Sequence, residues 1–491
     1  MSSEENKEGG PDLKKQKPSS TSLPTPSFTP IPQLQGMLAE LQAVPQHTIP
    51  LADRKHIIER IKACLIERAD DFRDAEFADL RRPAAYHDKV RGGTIATCNY
   101  YLENIDRLAA QQACDEVAAP APGSRARRSF VRHEPRGLAL VIGTWNFPLP
   151  LHIKPMVTAI AAGCPSMLKC NDQCAATSAV MLRVLGEEYL EADPICRKYV
   201  KICVGKRDLV HEMLQSHWGM VFFTGGEAAA KHICRAAAEH LSPVCMELGG
   251  KNPVYVTRNA NLENAVLKLM DNKFQNVGQF CVSPDHVYLD SSIDVAEFER
   301  LVKEAVGRYF GDDPQKSKNY SRVINASHHR RLVSYRDAAD HGGRNLLEGT
   351  GGQVPDEADL YIPPTVVLNP SNDKCLLLTE EVFGPVLPII QYDDLDEVLR
   401  KEAALPNPLA LYIFSGDDAE VQKIVTASRS GGVCVNDCIT QMLAENLPFG
   451  GIGASGFGSY RGDWGFRLFS HERSVMEFDA AEFNEARVPS Q

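Results

Sequence analysis

The chain is short of several things. No stretch of its 491 residues approaches the roughly 20 consecutive apolar residues that a membrane-spanning helix needs, so no membrane span is expected. Residues 1–32 are rich in Ser, Pro, Lys and Glu and hold no apolar core of a secretion signal. They read as a disordered, solvated tail, and 481–491 as a second tail. Arg487-Val488-Pro489-Ser490-Gln491 places no cysteine at a prenylation position, so no lipid anchor is expected. A basic surplus is missing too: the net charge of -11 argues against nucleic acid as a partner. The 14 cysteines form no CxxC and no Cys/His ligand cluster, so neither a disulfide framework nor a metal site is signalled. A reducing, cytoplasmic setting follows from that reading. No repeat recurs at a fixed period.

What is present is the balance of a globular protein, with 43% apolar and 24% charged residues. The length exceeds what one compact core organises, which implies two domains or more. Ile57, Ile58, Ile61 and Leu65 recur at helical spacing behind Asp53, a candidate cap. From Leu138 short apolar runs alternate with helical segments: Leu138 to Ile142, Ser166 to Lys169, Lys201 to Val204 and Met220 to Phe223. Such alternation implies a doubly wound parallel sheet that binds nucleotides at its carboxyl edge. A second α/β alternation follows Glu247, with strands at His286 to Leu289, Pro385 to Gln391 and Leu409 to Phe414. Helices are expected at Asp294 to Phe310, Asp393 to Lys401 and Asp418 to Ser428. Ser124 to Arg136 and Ser474 to Phe478 are left over as strands, either an edge hairpin or a surface for another subunit.

The chemistry concentrates at two places. Gly278-Gln279-Phe280-Cys281 ends a helical run, and Met246-Glu247-Leu248-Gly249-Gly250-Lys251 closes an apolar strand. A cysteine is most often a buried small hydrophobe, but a thiol where glycine lets the chain turn suits a reactive site. Glu247 could be a salt-bridged carboxylate. Its apolar setting favours one that is used, as a general base. In Gly143-Thr144-Trp145-Asn146-Phe147-Pro148, the Asn146 amide could face an oxyanion, or simply make a turn. Val221 to Gly226 followed by Ala228 to Ala238 is strand, glycine turn and helix, a place for a pyrophosphate. Gly451-Ile452-Gly453-Ala454-Ser455-Gly456 matches GxGxxG but follows no clear strand and precedes no suitable helix. It reads as a loop needing close backbone approach.

Together with Phe223-Thr224-Gly225, Glu381-Val382-Phe383-Gly384-Pro385 and Pro448-Phe449-Gly450-Gly451, these segments resemble the aldehyde dehydrogenase superfamily, in order and rough spacing, from Gln33 to Phe478. Gly458-Ser459-Tyr460 and Phe469-Ser470-His471 are similar to its class 3, or fatty aldehyde, branch.

The resemblance implies an aldehyde dehydrogenase-like α/β fold. Residues 33–123 and 137–245 would form a dinucleotide-binding domain rejoined by 450–471, and 246–449 a catalytic domain. Oligomerisation strands at 124–136 and 472–480 would make a homodimer. It implies oxidation of apolar aliphatic or aromatic aldehydes to acids, with NAD, or possible NADP, as acceptor. Cys281 would be the nucleophile, Asn146 the oxyanion donor and Glu247 the base that activates water against the thioester. Lys169 and Asp172 would meet the adenosine ribose, and Trp145, Thr224, Gly225 and Gly226 the dinucleotide. Glu381 would meet the nicotinamide ribose, with Phe383 packed beside it. Asp172 stands where the family often has Glu. Glu227, if turned inward, would disfavour a 2'-phosphate and so favour NAD. Acyl transfer to coenzyme A and a catalytically silent binding protein are the alternatives. The first needs no base such as Glu247, and the second needs none of the three residues.

Overall fold

The structure, a computed structural model, describes residues 26–113, 126–339, 342–370 and 375–478. The first alternation of apolar runs forms a six-stranded sheet. Its spatial order is Gly456–Phe457, Val244–Glu247, Met220–Thr224, Ala139–Ile142, Ser166–Cys170, Val200–Val204. All are parallel except Gly456–Phe457, which runs antiparallel to Val244–Glu247. Four of these strands are buried along their whole length. That is why they read as largely apolar runs and not as an alternation. Burying each such Val, Leu, Ile or Phe side chain is worth about 1.5–3 kcal/mol.

From Ala139–Ile142 the chain steps to Ser166–Cys170 and Val200–Val204, then returns to the other flank with Met220–Thr224 and Val244–Glu247. This reversal opens a crevice at the carboxyl ends of Ala139–Ile142 and Met220–Thr224, where open parallel sheets take their ligands. The helix Pro148–Ala162 leaves that crevice directly into the core, with Pro148 in its first turn and every residue but Pro150 buried.

The second sheet has seven strands in the order Arg344–Asn345, Thr365–Leu368, Val386–Tyr392, His286–Asp290, Pro253–Val256, Ala410–Phe414, Gly432–Val435. All are parallel except Arg344–Asn345. Its helices Val295–Phe310, Leu395–Glu402 and Asp418–Ala427 follow Asp294, Asp394 and Asp417. Each of these carboxylates accepts a first-turn amide, which fixes where the helix begins. A third, antiparallel sheet joins Gln112–Ala113, Ala126–Pro135 and Ser470–Phe478.

Four expectations shift. The tail ends earlier than residue 32: Thr29 is buried, its amide bonds Val204 O at 2.8 Å, and a helix runs over Ile31–Gln42. Residues 1–25, 124–125 and 479–491 lie outside the described residues. Asp53 does not cap its helix, which starts behind Pro50; its carboxylate instead accepts the Tyr199 hydroxyl at 3.0 Å. The boundary at 246 cuts a strand, because Met246 and Glu247 belong to the six-stranded sheet. Gln112–Ala113, expected in the nucleotide-binding part, pairs into the three-stranded sheet. The GxGxxG segment is a loop of close approach: a Cβ on Gly456 would sit 1.9 Å from Met246 O.

Candidate active site

Nine of the eleven site residues named from sequence line one cavity of about 260 Å³: Trp145, Asn146, Thr224, Gly225, Gly226, Glu247, Cys281, Glu381 and Phe383. The cause is topological. Asn146 and Trp145 follow Ala139–Ile142, Thr224 and Glu247 end the neighbouring parallel strands, and the second sheet delivers Cys281, Glu381 and Phe383 from the opposite side.

The cysteine turn is built from left-handed backbone. The helix Leu262–Phe274 ends, and Asn276, Val277 and Gly278 take φ of 48°, 47° and +70°. A Cβ on Gly278 would lie 2.2 Å from Gly384 O, so glycine lets this turn seat against the segment carrying Glu381 and Phe383. Gln279 is a buried anchor of this turn. Its amide donates to Asn276 O (3.2 Å) and Arg322 O (3.0 Å) and its oxygen accepts Ile324 N (3.0 Å). Cys281 is left half-buried. Burial, then the charges of Glu247 and Glu381, push its thiol up to about 12.

Asn146 is held from both ends. The buried Arg82 donates to its carbonyl at 2.6 Å and Asn276 at 3.0 Å, while Glu76 anchors Arg82 at 2.8 Å. Its side-chain amide donates to Gln279 O at 3.2 Å. One of the two amide hydrogens is thus used beside the cysteine turn, which leaves the second, and Asn146 and Cys281 line the same cavity. Glu247 is 3% exposed and neither carboxylate oxygen has a hydrogen-bond partner. Burial lifts its carboxyl well above the usual carboxylate range, opposed by the charge of Arg461. Glu381 accepts Gly250 N at 3.0 Å; burial pushes it up to about 7.

On the nucleotide side, Gly225 N bonds Glu247 O at 3.1 Å, and a Cβ on Gly225 would strike the Phe223 ring at 2.4 Å. A Cβ on Gly226 would meet nothing within 4 Å, so open space lies before the first turn of Glu227–Ala238. Those unpaired amides suit a phosphate.

Two named residues do not line the cavity. Lys169 sits in the strand Ser166–Cys170 and Asp172 just past its end, 3.7 Å apart from Nζ to Oδ1. Glu227 does not turn inward: it is exposed and pairs with Lys231 at 2.5 Å, so the argument for NAD drawn from it lapses. His328 and Arg331, missed in the sequence, line the cavity. His328 meets Trp145 edge-on at 5.1 Å, and Arg331 donates to Val382 O at 2.9 Å. The basic run His328-His329-Arg330-Arg331 was the available signal.

Residues 39–475 match the sequence profile of the aldehyde dehydrogenase family. The dimeric NADP-preferring aldehyde dehydrogenase of Canis lupus familiaris is 36% identical over 434 residues, covering 87% of this chain and 90% of that one. Aldehyde dehydrogenase family 3 member A2 of Rattus norvegicus is 33% identical, covering 87% and 84%. A probable coniferyl aldehyde dehydrogenase of Caulobacter vibrioides is 38% identical over 71% of each chain. The substrate-bound state of Staphylococcus aureus AldH superposes with a TM-score of 0.85 at 27% identity, covering 93% of this chain and 96% of that one. The fold, the cleft and these likenesses agree, and the chain belongs to the aldehyde dehydrogenase family.

Proposed function

We propose that the protein oxidises apolar aliphatic or aromatic aldehydes to carboxylic acids with NAD or NADP. The observation that carries this reading is the meeting of Cys281, Asn146 and Glu247 in one cavity beside an open helix N-terminus. The cradle before Glu227–Ala238 would hold a dinucleotide, with Thr224, Gly225 and Gly226 toward its phosphates and Trp145, Glu381 and Phe383 toward its nicotinamide half. Lys169 and Asp172 would meet the ribose beyond the cavity. A bound nicotinamide dinucleotide supplies the hydride acceptor.

The Cys281 thiol gives up its proton to solvent water, the thiolate sulfur adds to the aldehyde carbon, and the free hydrogen of the Asn146 amide with the Cys281 backbone N–H holds the oxyanion. Hydride loss from that carbon leaves a thioester on Cys281. Glu247 takes a proton from water, the new C–O bond forms, and the C–S bond breaks to release the acid and regenerate the thiolate. Acyl transfer to coenzyme A would leave Glu247 without work.

The six-stranded sheet with its return segment serves as the dinucleotide-binding domain and the seven-stranded sheet as the catalytic domain. Ser470–Phe478 lies at the edge of its sheet, which supports pairing with a second copy into a homodimer. The scatter of the cysteines, with no CxxC among them, supports a cytoplasmic setting.

The test is a panel of hexanal, a long-chain aldehyde and benzaldehyde with each dinucleotide, following reduced-dinucleotide absorbance. Turnover in wild type and none in Cys281→Ala is expected; equal rates in both would remove the enzymatic reading. Turnover appearing only when coenzyme A is added would favour acyl transfer.

A further inference from the structure

We propose that Arg461 is a positioning residue for thioester hydrolysis: a fixed, buried cation that favours the carboxylate form of Glu247 against the pull of burial, with Glu445 setting how much of that charge Glu247 receives. The proposal rests on the reading of Glu247 as the water-activating base.

The chain beyond Glu445 runs back along the nucleotide sheet. Gly456 pairs with Glu247, and Leu248 N bonds Ser455 O at 3.1 Å. Phe449 and Tyr460 bridge each other, and the Arg461 guanidinium carbon lies 5.5 Å and 5.2 Å from their ring centres. Arg461 is thereby carried beside the strand that ends in Glu247. It is 3% exposed, and neither Nε nor Nη1 has a hydrogen-bond partner. Its φ of 92° lies where residues other than glycine rarely sit. Glu247 mirrors it, equally buried, with both oxygens open. A buried cation and a buried acid with unspent polar atoms each cost free energy alone, and each lessens the cost of the other.

The neighbouring charges sharpen the assignment. Arg461 is the charged group whose field opposes burial at Glu247. The other titratable groups coupled to Glu247 are Cys245 on its own strand, Cys281 and Tyr460, all held protonated by burial at neutral pH. On the far side, Glu445 Oε1 lies 4.0 Å from Arg461 Nη1, accepts the Thr97 hydroxyl at 2.7 Å and lies 3.9 Å from Lys154 Nζ. Burial and the charge of Arg461 push Lys154 down to about 7. Tyr101, on the packed helix Ala84–Ala109, also feels Arg461 and stays protonated. Two carboxylates therefore compete for one guanidinium. The hydrolytic step needs Glu247 ionised before it can accept a proton from water. Burial alone favours the acid, and Arg461 is the compensating charge.

Rapid-mixing kinetics across pH test this. The burst reports the steps up to the thioester, and the later steady state reports its hydrolysis. Arg461→Gln should keep the burst and raise the pH midpoint of hydrolysis by about one unit or more, slowing turnover near neutral pH about tenfold. Arg461→Lys should recover most of the loss. Glu445→Gln frees the charge of Arg461 for Glu247 and should move the midpoint down. An unmoved midpoint in Arg461→Gln, or shifts of one sign in both variants, would overturn the proposal. Should Arg461→Gln not fold, an upward or absent shift in Glu445→Gln overturns it alone. Glu247→Gln separates the two readings. If it hydrolyses at the wild-type rate, the base assignment itself falls. If it stalls while Arg461→Gln keeps the wild-type midpoint, only the role of Arg461 falls.

Discussion

Asn146 is positioned through its backbone, and the proposed oxyanion donor is its side chain. Arg82 and Asn276 hold the carbonyl, so truncating the amide leaves the loop in place while removing that proposed donor. Asn146→Ala should therefore lower kcat about 100- to 1,000-fold with little change in melting temperature. A loss under threefold would remove its role. Glu381 offers a second check at this scale. Burial raises its folded-state pKa to about 7 from an ordinary value of 4.5, so it is a carboxyl that favours the folded state when protonated. The stability it contributes is complete below about 4.5 and is lost as pH rises through about 7. Glu381→Gln, neutral throughout, should thus gain melting temperature relative to wild type between those limits. A constant difference across pH would contradict the burial argument. Cys281, pushed up to about 12, should react slowly with iodoacetamide at neutral pH in the dinucleotide-free enzyme, with a rate that climbs as pH rises. A plateau below pH of about 8 would mean a thiol that is already ionised.

At the scale of elements, the turn Gln275–Gly278 joins the two sides of the cavity. Gly278→Ala places a Cβ against Gly384 O and demands a left-handed φ of a residue that resists it. It should destabilise the protein by about 1–3 kcal/mol and depress activity beyond that loss, as read by urea unfolding and steady-state kinetics. Wild-type stability would mean the turn relaxes freely. The strands around the crevice were legible in sequence because burial on both faces leaves a largely apolar signature, and the helices because Asp294 and its counterparts cap them. The glycines at 225 and 278 were legible as turns and the one at 456 as a place of close approach, though not what any of them approaches. His328, Arg331 and Arg461 left no such signature. Their roles depend on which elements fold against them, and a basic residue in a polar run reads as solvated surface. Glu227 misled for the same reason, since its helical partner Lys231 decides its direction.

At the scale of the molecule, neither sheet alone holds the chemistry. Glu247 and Asn146 come from the six-stranded sheet, Cys281 and Glu381 from the seven-stranded one. The third sheet leaves Ser470–Phe478 as an edge, with Met476 exposed. Of two neighbouring residues in a strand, one amide faces the paired strand and the next faces outward. Val475→Pro and Met476→Pro are therefore a matched pair. The one that strips the outward donor should give a folded monomer in sedimentation, and two folded dimers would place the dimer contact elsewhere. The central expectation of the proposed reaction is a covalent acyl group at Cys281 whose release needs Glu247. Intact-protein mass spectrometry of Glu247→Gln, mixed with hexanal and dinucleotide, reads that species directly. A stoichiometric hexanoyl adduct mapping to Cys281, and absent from wild type at the same time point, is expected. No adduct, or one on another cysteine, would contradict it.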